Sequence, residues 1–411
     1  MGLCLDVSRV RQLFIFSLIA FASNFEYGFS TTYLNTPVEH FKGFLNESYL
    51  RMGKTLTEPT YVIIWNILLN IWFVGFFIGI WFSPVLNDRF GRKKALHEEK
   101  RKTQIALQDS CLRHVFPVNP LHEEEIISDA CECSPTNQRG AMTFLSEISY
   151  SSMCLVGMML GTRQLLGNNL VALMAFAVPF CAFFFLVLLF LPETPKFLLI
   201  SRSNRAEAER SVIFYHGSDN DLDTVIKEIV MEAEMEPVAA SWSSISEVLK
   251  EPYLKRAMLL SISALQNTVP LWSMLLSSTY FLEEIGLDQI VASWSSTAMT
   301  LAYTIGTLAG AIWIERSGVG PISWFISSEL VPQHHRSLMQ SITYALNTVI
   351  VVVLTFSILP LYNVIGSYAF LILYTIPSTA AIVILYRYLP ETKGREIHEI
   401  VAELRRMTKP I

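Results

Sequence analysis

Long apolar runs are the feature of this sequence that most constrains its fold. They cover 13–34 and 142–162, each interrupted by one glutamate, and 59–87, 164–192, 257–282, 289–314 and 337–386, which contain no charged residue. A helix needs about 20 mostly apolar residues to cross the hydrocarbon core of a bilayer, where every backbone polar group must be bonded within the segment. The last run is too long for one helix, and Pro360, followed by Tyr362 and Asn363, predicts a turn that divides it. We therefore predict an all-α membrane protein with about eight complete transmembrane helices.

The composition narrows the possible functions. Of the 411 residues, 52% are hydrophobic and 16% are charged, which is outside the balance of soluble domains. The net charge is -5, and no Lys/Arg-rich or Gly-rich phosphate-binding motif is present, so we expect a lipid bilayer and no nucleic acid as partner. Cys111, His114, His122, Cys131 and Cys133 do not have the spacing of a zinc site, so we expect no metal. We expect no cofactor and no enzymatic activity, because the sequence offers no catalytic constellation.

Basic residues set the predicted orientation. Cytoplasmic loops carry an excess of lysine and arginine, and the segment after the second run has more of them than the loop at 35–58; they are Arg89, Arg92, Lys93, Lys94, Lys100, Arg101 and Lys102. That segment and both termini are therefore predicted to be cytoplasmic. The loop at 35–58 then lies outside, where Asn46-Glu47-Ser48 is an acceptor sequence for N-glycosylation. We predict a multi-pass protein of the plasma membrane, glycosylated at Asn46.

Three short motifs occur twice in the same order. They are Asp88-Arg89-Phe90-Gly91 with Glu315-Arg316-Ser317-Gly318, Asn137-Gln138-Arg139-Gly140 with His334-His335-Arg336-Ser337, and Leu191-Pro192-Glu193-Thr194 with Leu389-Pro390-Glu391-Thr392. Ordered repetition of this kind predicts duplicated halves. The second and third motifs enclose two runs in each half. The interval between the first and second motifs contains no apolar run in the first half and is only 21 residues long in the second, so neither can hold a pair of spans.

The motifs together resemble the sugar porter family of the major facilitator superfamily, in particular the facilitative glucose transporters of animals. The segments that carry the resemblance are Asp88-Arg89-Phe90-Gly91-Arg92-Lys93, Arg139-Gly140-Ala141, Pro192-Glu193-Thr194-Pro195-Lys196, Gly320-Pro321-Ile322-Ser323-Trp324 and Pro390-Glu391-Thr392-Lys393-Gly394. Members of this superfamily have two six-helix halves. The resemblance therefore implies an incomplete member, in which the third, fourth and ninth helices and the first part of the tenth are missing.

The resemblance also implies a domain order. An N-terminal transmembrane half at 1–192 contains a divergent cytoplasmic insert, 97–132, in place of two spans. A cytoplasmic helical linker follows at 193–256, then a C-terminal transmembrane half at 257–390 and a cytoplasmic tail at 391–411. Within the linker, 221–234 has the apolar spacing of an amphipathic helix.

Four residues are candidates for substrate binding by resemblance: Gln266, Asn267, Trp324 and Asn347. The seventh helix of the family carries a Q-Q-x-x-G-x-N pattern, and this chain has Gln266 and Asn267 at the first two positions and Trp272 at the last. Trp324 matches a tryptophan that stacks near the sugar, and Asn347 matches an amide of the eleventh helix. The alternatives are a packing tryptophan at the membrane boundary and an ordinary interhelical contact.

Two carboxylates lie within predicted spans, Glu26 and Glu147. Ionised carboxylates are costly there unless they face water or a partner, so both are candidates for the central cavity. One hypothesis is that one of them exchanges a proton or binds a polar or cationic substrate. The alternative is a protonated, glutamine-like hydrogen-bonding role.

A charged network at the cytoplasmic side is the other candidate site. By resemblance, its members would latch the two halves together while the substrate site faces outward. The alternative is a set of solvated helix ends. The candidate gate residues are Asp88, Arg89, Gly91, Arg92, Arg139, Glu193, Glu315, Arg316, Glu329, Arg336 and Glu391.

The predicted function is facilitative transport of a hexose sugar, of the glucose or fructose class, by alternating access. The alternative is a truncated, non-transporting membrane isoform that acts as a sensor or regulator, with homo- or hetero-oligomers involving full-length relatives as a possible assembly.

Overall fold

The computed structural model describes residues 7–90, 139–200, 202–216, 222–235, 250–317, 326, 330–331, 333–390 and 397–408. All regular secondary structure in these ranges is helical. The helices are α1 (Val7–Thr32), α2 (Val38–Arg51), α3 (Glu58–Phe90), α4 (Arg139–Leu160), α5 (Leu170–Phe190), α6 (Pro195–Ile200), α7 (Arg205–His216), α8 (Leu222–Met235), α9 (Pro252–Gln266), α10 (Val269–Glu284), α11 (Gln289–Ser317), α12 (Gln333–Ile365), α13 (Tyr368–Phe370), α14 (Ile376–Tyr388) and α15 (Ile397–Thr408). A π-helical turn, Leu371–Thr375, joins α13 to α14.

The long helices pack side by side as a bundle. Helix α1 lies against α4 and α5, α4 also lies against α11, and α3 lies against α12. Helix α9 packs against α12, α14 and the C-terminal helix α15. The largest buried apolar cluster draws side chains from α1, α3, α4, α10 and α12. The earlier and later parts of the chain therefore share one core.

The contact between α1 and α4 is unusually close because small residues line it. A Cβ atom at Gly28 would lie 2.7 Å from the backbone oxygen of Tyr150, and one at Gly157 would lie 2.9 Å from that of Phe29. The closeness lets Thr32 Oγ1 donate to the backbone oxygen of Cys154 at 2.8 Å. Small residues four apart are a common device for helix association in membranes, and Gly157 and Gly161 form such a pair on α4.

The prediction of an all-α membrane protein is confirmed. Among the described residues, three helical segments are long and apolar enough to cross a membrane by themselves: Pro252–Glu284, Leu338–Ile365 and Tyr368–Tyr388. Helix α1 supplies a fourth if its bent parts, Leu13–Ala22 and Asn24–Thr32, form one span. Shorter apolar stretches occupy Leu145–Leu160 and Leu170–Phe184. The figure of about eight spans stays a prediction.

A turn divides the long run at 337–386 into two helical segments, as predicted, but it does not lie at Pro360. Pro360 lies inside α12, which continues to Ile365, and the turn falls at Gly366, where φ is +61°. Proline removes one helix hydrogen bond, but spans tolerate it when neighbouring groups satisfy the freed carbonyl. Glycine adopts positive φ without steric cost, so it ends the helix more effectively.

The segment at 193–256 contains short helices outside the apolar runs. Helix α8 confirms the helix predicted at 221–234 for the residues that the structure describes, and its Ile226 is buried with Leu198 and Val212. Helix α7 is tied to the end of the preceding apolar segment, because Tyr215 Oη donates to the backbone oxygen of Pro192 at 2.8 Å. The insert at 97–132 lies outside the described residues, and the domain boundaries stay predictions.

Candidate substrate site

The segment Pro252–Glu284 is interrupted near its middle. Helix α9 ends at Gln266, a turn follows at Asn267 and Thr268, and α10 begins at Val269. Pro270 stands in the first turn of α10, where its missing N–H has no cost and its fixed φ favours a new start. The apolar run at 257–282 predicts one uninterrupted span, and Pro270 is the sequence signal for the break that the structure shows. Discontinuous helices place polar groups at membrane depth, as substrate sites require.

Polar atoms without hydrogen bonds surround this break. Gln266 Nε2, Asn267 Oδ1 and Asn347 Oδ1 are buried and have no hydrogen-bond partner within the part of the chain that the structure describes. Thr343 Oγ1, one turn before Asn347 on α12, is also buried without a hydrogen-bond partner among the described residues. Leu265, Tyr344 and Ala345 form one buried cluster, which brings α9 and α12 together at this level. Buried polar groups are normally paired, so this set is suited to a polar ligand.

The structure therefore places Gln266 at the end of α9 and Asn267 directly after it, and α9 contacts α12, the helix that carries Asn347. Trp324, the other substrate-binding candidate from the family resemblance, lies outside the described residues. Thr343 could not be predicted as a site residue, because the hydroxyl of a threonine in an apolar helix usually bonds a backbone oxygen of the same helix.

Aromatic rings fill the region just beyond the break. The Trp272 ring of α10 lies 5.6 Å from that of Phe73 on α3, 6.2 Å from that of Tyr27 on α1 and 6.3 Å from that of Tyr150 on α4, measured between centroids. All four residues are buried in the main core. Trp272 thus joins α10 to three helices from the earlier part of the chain.

The two carboxylates of the spans have different surroundings. Glu147 lies on α4, one turn before Tyr150, and its Oε2 accepts a hydrogen bond from Tyr303 Oη of α11 at 3.5 Å. Glu26 is partly exposed on α1, where its backbone oxygen accepts a hydrogen bond from Ser30 Oγ at 2.6 Å. Tyr303 was not identified from the sequence, because nothing local links it to Glu147.

Asn35, just beyond the end of α1, is hydrogen-bonded to α10. Asn35 Nδ2 donates to the backbone oxygens of Met274 at 3.1 Å and Leu275 at 2.8 Å, and to Ser278 Oγ at 2.9 Å. Its Oδ1 accepts from the backbone N–H of Thr279 at 3.1 Å. We call this group of hydrogen bonds the Asn35 clasp. Sequence reasoning missed it, since it pairs a residue just beyond the first apolar run with the backbone of a helix.

The candidate gate residues are only partly described. Asp88 and Arg89 fall at the end of α3, Arg139 at the start of α4, Glu315 and Arg316 at the end of α11 and Arg336 at the start of α12. Glu193 lies between α5 and α6, where its backbone oxygen accepts from Ser211 Oγ at 2.6 Å. Gly91, Arg92, Glu329 and Glu391 lie outside the described residues. The latch stays a prediction.

Asn46, the predicted glycosylation site, is exposed on α2. Its neighbour Glu47 forms an ion pair with Arg51 at 2.8 Å, one turn later. The asparagine side chain is therefore accessible, while its use as an acceptor stays a prediction.

The helical bundle has the fold of solved proteins of the major facilitator superfamily. The structure is similar to that of the MFS proton:xylose symporter XylE bound to 6-bromo-6-deoxy-D-glucose, with a TM-score of 0.73 at 14% identity over 95% of this chain and 99% of that one. An inward-open conformation of the xylose transporter XylE from E. coli gives a TM-score of 0.66 at 17% identity, over 95% of this chain and 99% of that one. At such identities the likeness shows the fold.

The sequence assigns the family. The family model described as sugar (and other) transporter matches residues 130–319 and 316–404, and the chain belongs to this family of multi-pass membrane proteins. Facilitated glucose transporter member 5 of solute carrier family 2 from Equus caballus is 28% identical over 242 residues, which are 54% of this chain and 48% of the relative. Member 7 from Mus musculus is 24% identical over 324 residues, 73% of this chain and 62% of the relative. The chain spans about half the length of the curated relatives it matches, in keeping with an incomplete member.

Proposed function

We propose that this protein carries a hexose sugar across a membrane by alternating access. The observation that carries the proposal is a set of buried amide atoms without hydrogen-bond partners among the described residues. They belong to Gln266 and Asn267, at the break between α9 and α10, and to Asn347 on the neighbouring α12. Sugar hydroxyls can both donate to and accept from such amides. The curated relatives are facilitated glucose transporters by name, and XylE is a xylose symporter.

The Asn35 clasp supplies one element of a two-state mechanism. Asn35 lies within hydrogen-bonding distance of four atoms of α10, and α1 and α10 must separate there for that end of the bundle to open. Because Nδ2 has only two hydrogens for its three acceptors, the clasp amounts to about three hydrogen bonds. At a net 0.5–1.5 kcal/mol each, they stabilise the closed arrangement by about 1.5 to 4.5 kcal/mol. Differences of a few kcal/mol are the scale on which a ligand shifts such an equilibrium.

The remaining assignments belong to the same proposal. Trp324 stacks on the sugar, the charged gate residues latch the cytoplasmic side, both termini are cytoplasmic, and the protein reaches the plasma membrane glycosylated at Asn46. Glu26 and Glu147 bind the substrate in the central cavity, either as protonated hydrogen-bonding groups or with one of them exchanging a proton. Uptake whose pH dependence persists in both Glu26→Gln and Glu147→Gln would exclude the two carboxylates from that role.

Uptake of labelled glucose, fructose and 6-deoxyglucose by proteoliposomes that contain the purified chain tests the site. Replacing Gln266 with alanine removes a hydrogen-bonding group that we place against the sugar. We expect the Gln266→Ala protein to lose about tenfold or more in apparent affinity, because one unpaired hydroxyl costs about 1 to 3 kcal/mol. Gln289→Ala at the start of α11 is the matched control and should retain wild-type uptake. Equal affinities in the wild type and in Gln266→Ala would remove Gln266 from the site.

A further inference from the structure

A π-helical turn in the last apolar segment, Tyr368–Tyr388, directs a tyrosine into the bundle. The buried residues of this segment are Ala369, Tyr374 and Ala381. Tyr374 and Ala381 share a face because their spacing is two turns of an α-helix. The side chains of Ala369 and Tyr374, however, would point about 140° away from each other in a regular α-helix. The wider turn Leu371–Thr375 accommodates an extra residue, so that both face the bundle.

The hydroxyl group of Tyr374 joins three parts of the structure. It is hydrogen-bonded to Ser273 Oγ near the start of α10, and it donates to the backbone oxygen of Leu354 on α12 at 3.4 Å. A phenol has one proton and can also accept, so Tyr374 bonds both groups at once when Ser273 donates. Ser273 is 1% exposed and Tyr374 is 3% exposed. Water therefore does not replace a partner that either hydroxyl loses.

Helix α10 is thus held on two flanks. On one flank the Asn35 clasp joins it to α1. On the other flank Ser273 bonds Tyr374, and two turns further along α10 the ring of Phe281 lies 4.9 Å from that of Phe370 between centroids. When this end of the bundle opens, α10 parts either from α1 or from the last apolar segment.

The contacts on the second flank differ in how well they fix a position. Apolar contacts are non-directional, and a pair of aromatic rings keeps its attraction over a range of centroid distances. A hydrogen bond weakens steeply when its angle departs from linearity. The bond between Ser273 and Tyr374 is therefore the contact that sets where α10 sits on its neighbours.

We propose that Tyr374 is a positioning residue of the transport cycle. Its hydroxyl anchors α10 to α12 and to the last apolar segment, so that α10 parts from α1 when the Asn35 clasp opens. The inference rests on the proposed function, because it assigns α10 to one side of the proposed two-state mechanism.

A distance between two spin labels tests this role without any sugar. The labels are attached at Ile285→Cys, just beyond α10, and at Val364→Cys near the end of α12; both positions are exposed. The purified full chain carries them with its native cysteines replaced by alanine and with Asn35→Leu to open the clasp. The population with a longer distance should be minor while Tyr374 is present. Tyr374→Phe should enlarge it about threefold or more, since one hydrogen bond corresponds to about 2-fold to 13-fold.

Two further variants make the distance measurement specific. Ser273→Ala should enlarge the same population, and adding it to Tyr374→Phe should have no further effect, because both changes remove one bond. Tyr368→Phe is the matched control, since Tyr368 is exposed on the same segment; it should leave the distribution unchanged.

Uptake by proteoliposomes separates positioning from contact with the substrate. Tyr374→Phe should lower the maximum rate per folded protein about threefold or more. The half-saturating concentration of sugar should stay at the wild-type value, because the amides of Gln266 and Asn267 are retained.

The outcomes keep the two claims apart. A longer-distance population that is no larger in Tyr374→Phe than in Tyr368→Phe overturns the inference, as does a Tyr374→Phe protein that raises the half-saturating concentration at an unchanged maximum rate. If Tyr374→Phe does not fold, Ser273→Ala decides by the same comparison. Absence of uptake by the wild-type chain overturns the proposed function, whereas the distances still decide whether Tyr374 anchors α10.

Discussion

Hydrogen bonds from single side chains to distant helices show most directly how the helices are arranged. Asn35 and Leu275 are 240 residues apart in sequence, yet the amide of one bonds the backbone of the other. Thr355 Oγ1 on α12 likewise donates to Asn70 Oδ1 on α3 at 2.5 Å. Both bonds link the earlier part of the chain to the later part, so they report directly on how the two parts sit together.

Replacing Asn35 with leucine should favour opening at the clasp. The change keeps the branched shape of the side chain but removes its hydrogen bonds to α10. A cysteine placed at Ser277, which is 4% exposed on α10, provides the readout. We expect a membrane-impermeant thiol reagent to label it about tenfold faster in the Asn35→Leu background, since about 1.4 kcal/mol suffices for that factor.

The control for this measurement is Asn46→Leu, an exposed asparagine on α2. It should leave the labelling rate unchanged. Equal labelling in the Asn35→Leu and wild-type backgrounds would show that the clasp does not hold this end of the bundle closed.

Sequence patterns identified part of the candidate site. Gln266 and Asn267 were found because they match a spaced amide pattern, and Asn347 because it matches an amide of the eleventh family helix. The structure leaves a polar atom of each without a partner among the described residues. Asn35, Thr343 and Tyr303 were not found. Their significance depends on contacts, or on the lack of them, between helices that are far apart in the chain, which no local pattern encodes.

At the scale of helices, the close contact of α1 with α4 organises one side of the bundle. Gly28, Gly157 and Gly161 allow the backbones to approach. The hydroxyls of Thr32, at the end of α1, and of Thr36, just beyond it, then reach carbonyl groups of α4. Van der Waals packing and such hydrogen bonds are the main forces between helices in lipid. The glycines are therefore structural requirements of this contact.

Gly157→Ala should destabilise the protein. The added methyl group would meet the backbone oxygen of Phe29 at 2.9 Å, so the helices must move apart, at a cost of about 1–3 kcal/mol. The expected result is a lower melting temperature of the purified protein in detergent. Gly306→Ala on α11 is the matched control, because an added Cβ atom there meets nothing within 4 Å. A Gly157→Ala melting temperature equal to that of the control would contradict this account of the contact.

The positions of the helices could largely be predicted, whereas their interruptions could not. Length and hydropathy located the apolar helices, because lipid requires internally bonded backbone. The ends and breaks depend on backbone geometry. Pro360 was taken for a turn but remains within α12, and Gly366 makes the turn instead. Pro270, by contrast, stands directly after a real break.

In the molecule as a whole, helices from both parts of the chain share one core, yet the chain matches only part of the length of its curated relatives. Its main buried cluster connects helices from both parts of the chain, and the fold matches that of xylose transporters. It nevertheless spans only 48% of one curated relative and 62% of another. Whether this shorter bundle still forms a working carrier is the central question for the proposed function.

Sugar uptake by transporter-deficient cells that express the 411-residue chain answers it most directly. Labelled glucose, fructose and 6-deoxyglucose are supplied, and surface glycosylation at Asn46 is scored in the same cells, with Asn46→Gln as the glycosylation control. The account predicts saturable uptake of at least one of the three sugars by glycosylated protein at the surface. Normal surface glycosylation without saturable uptake of any of them would contradict it and would favour a non-transporting membrane role.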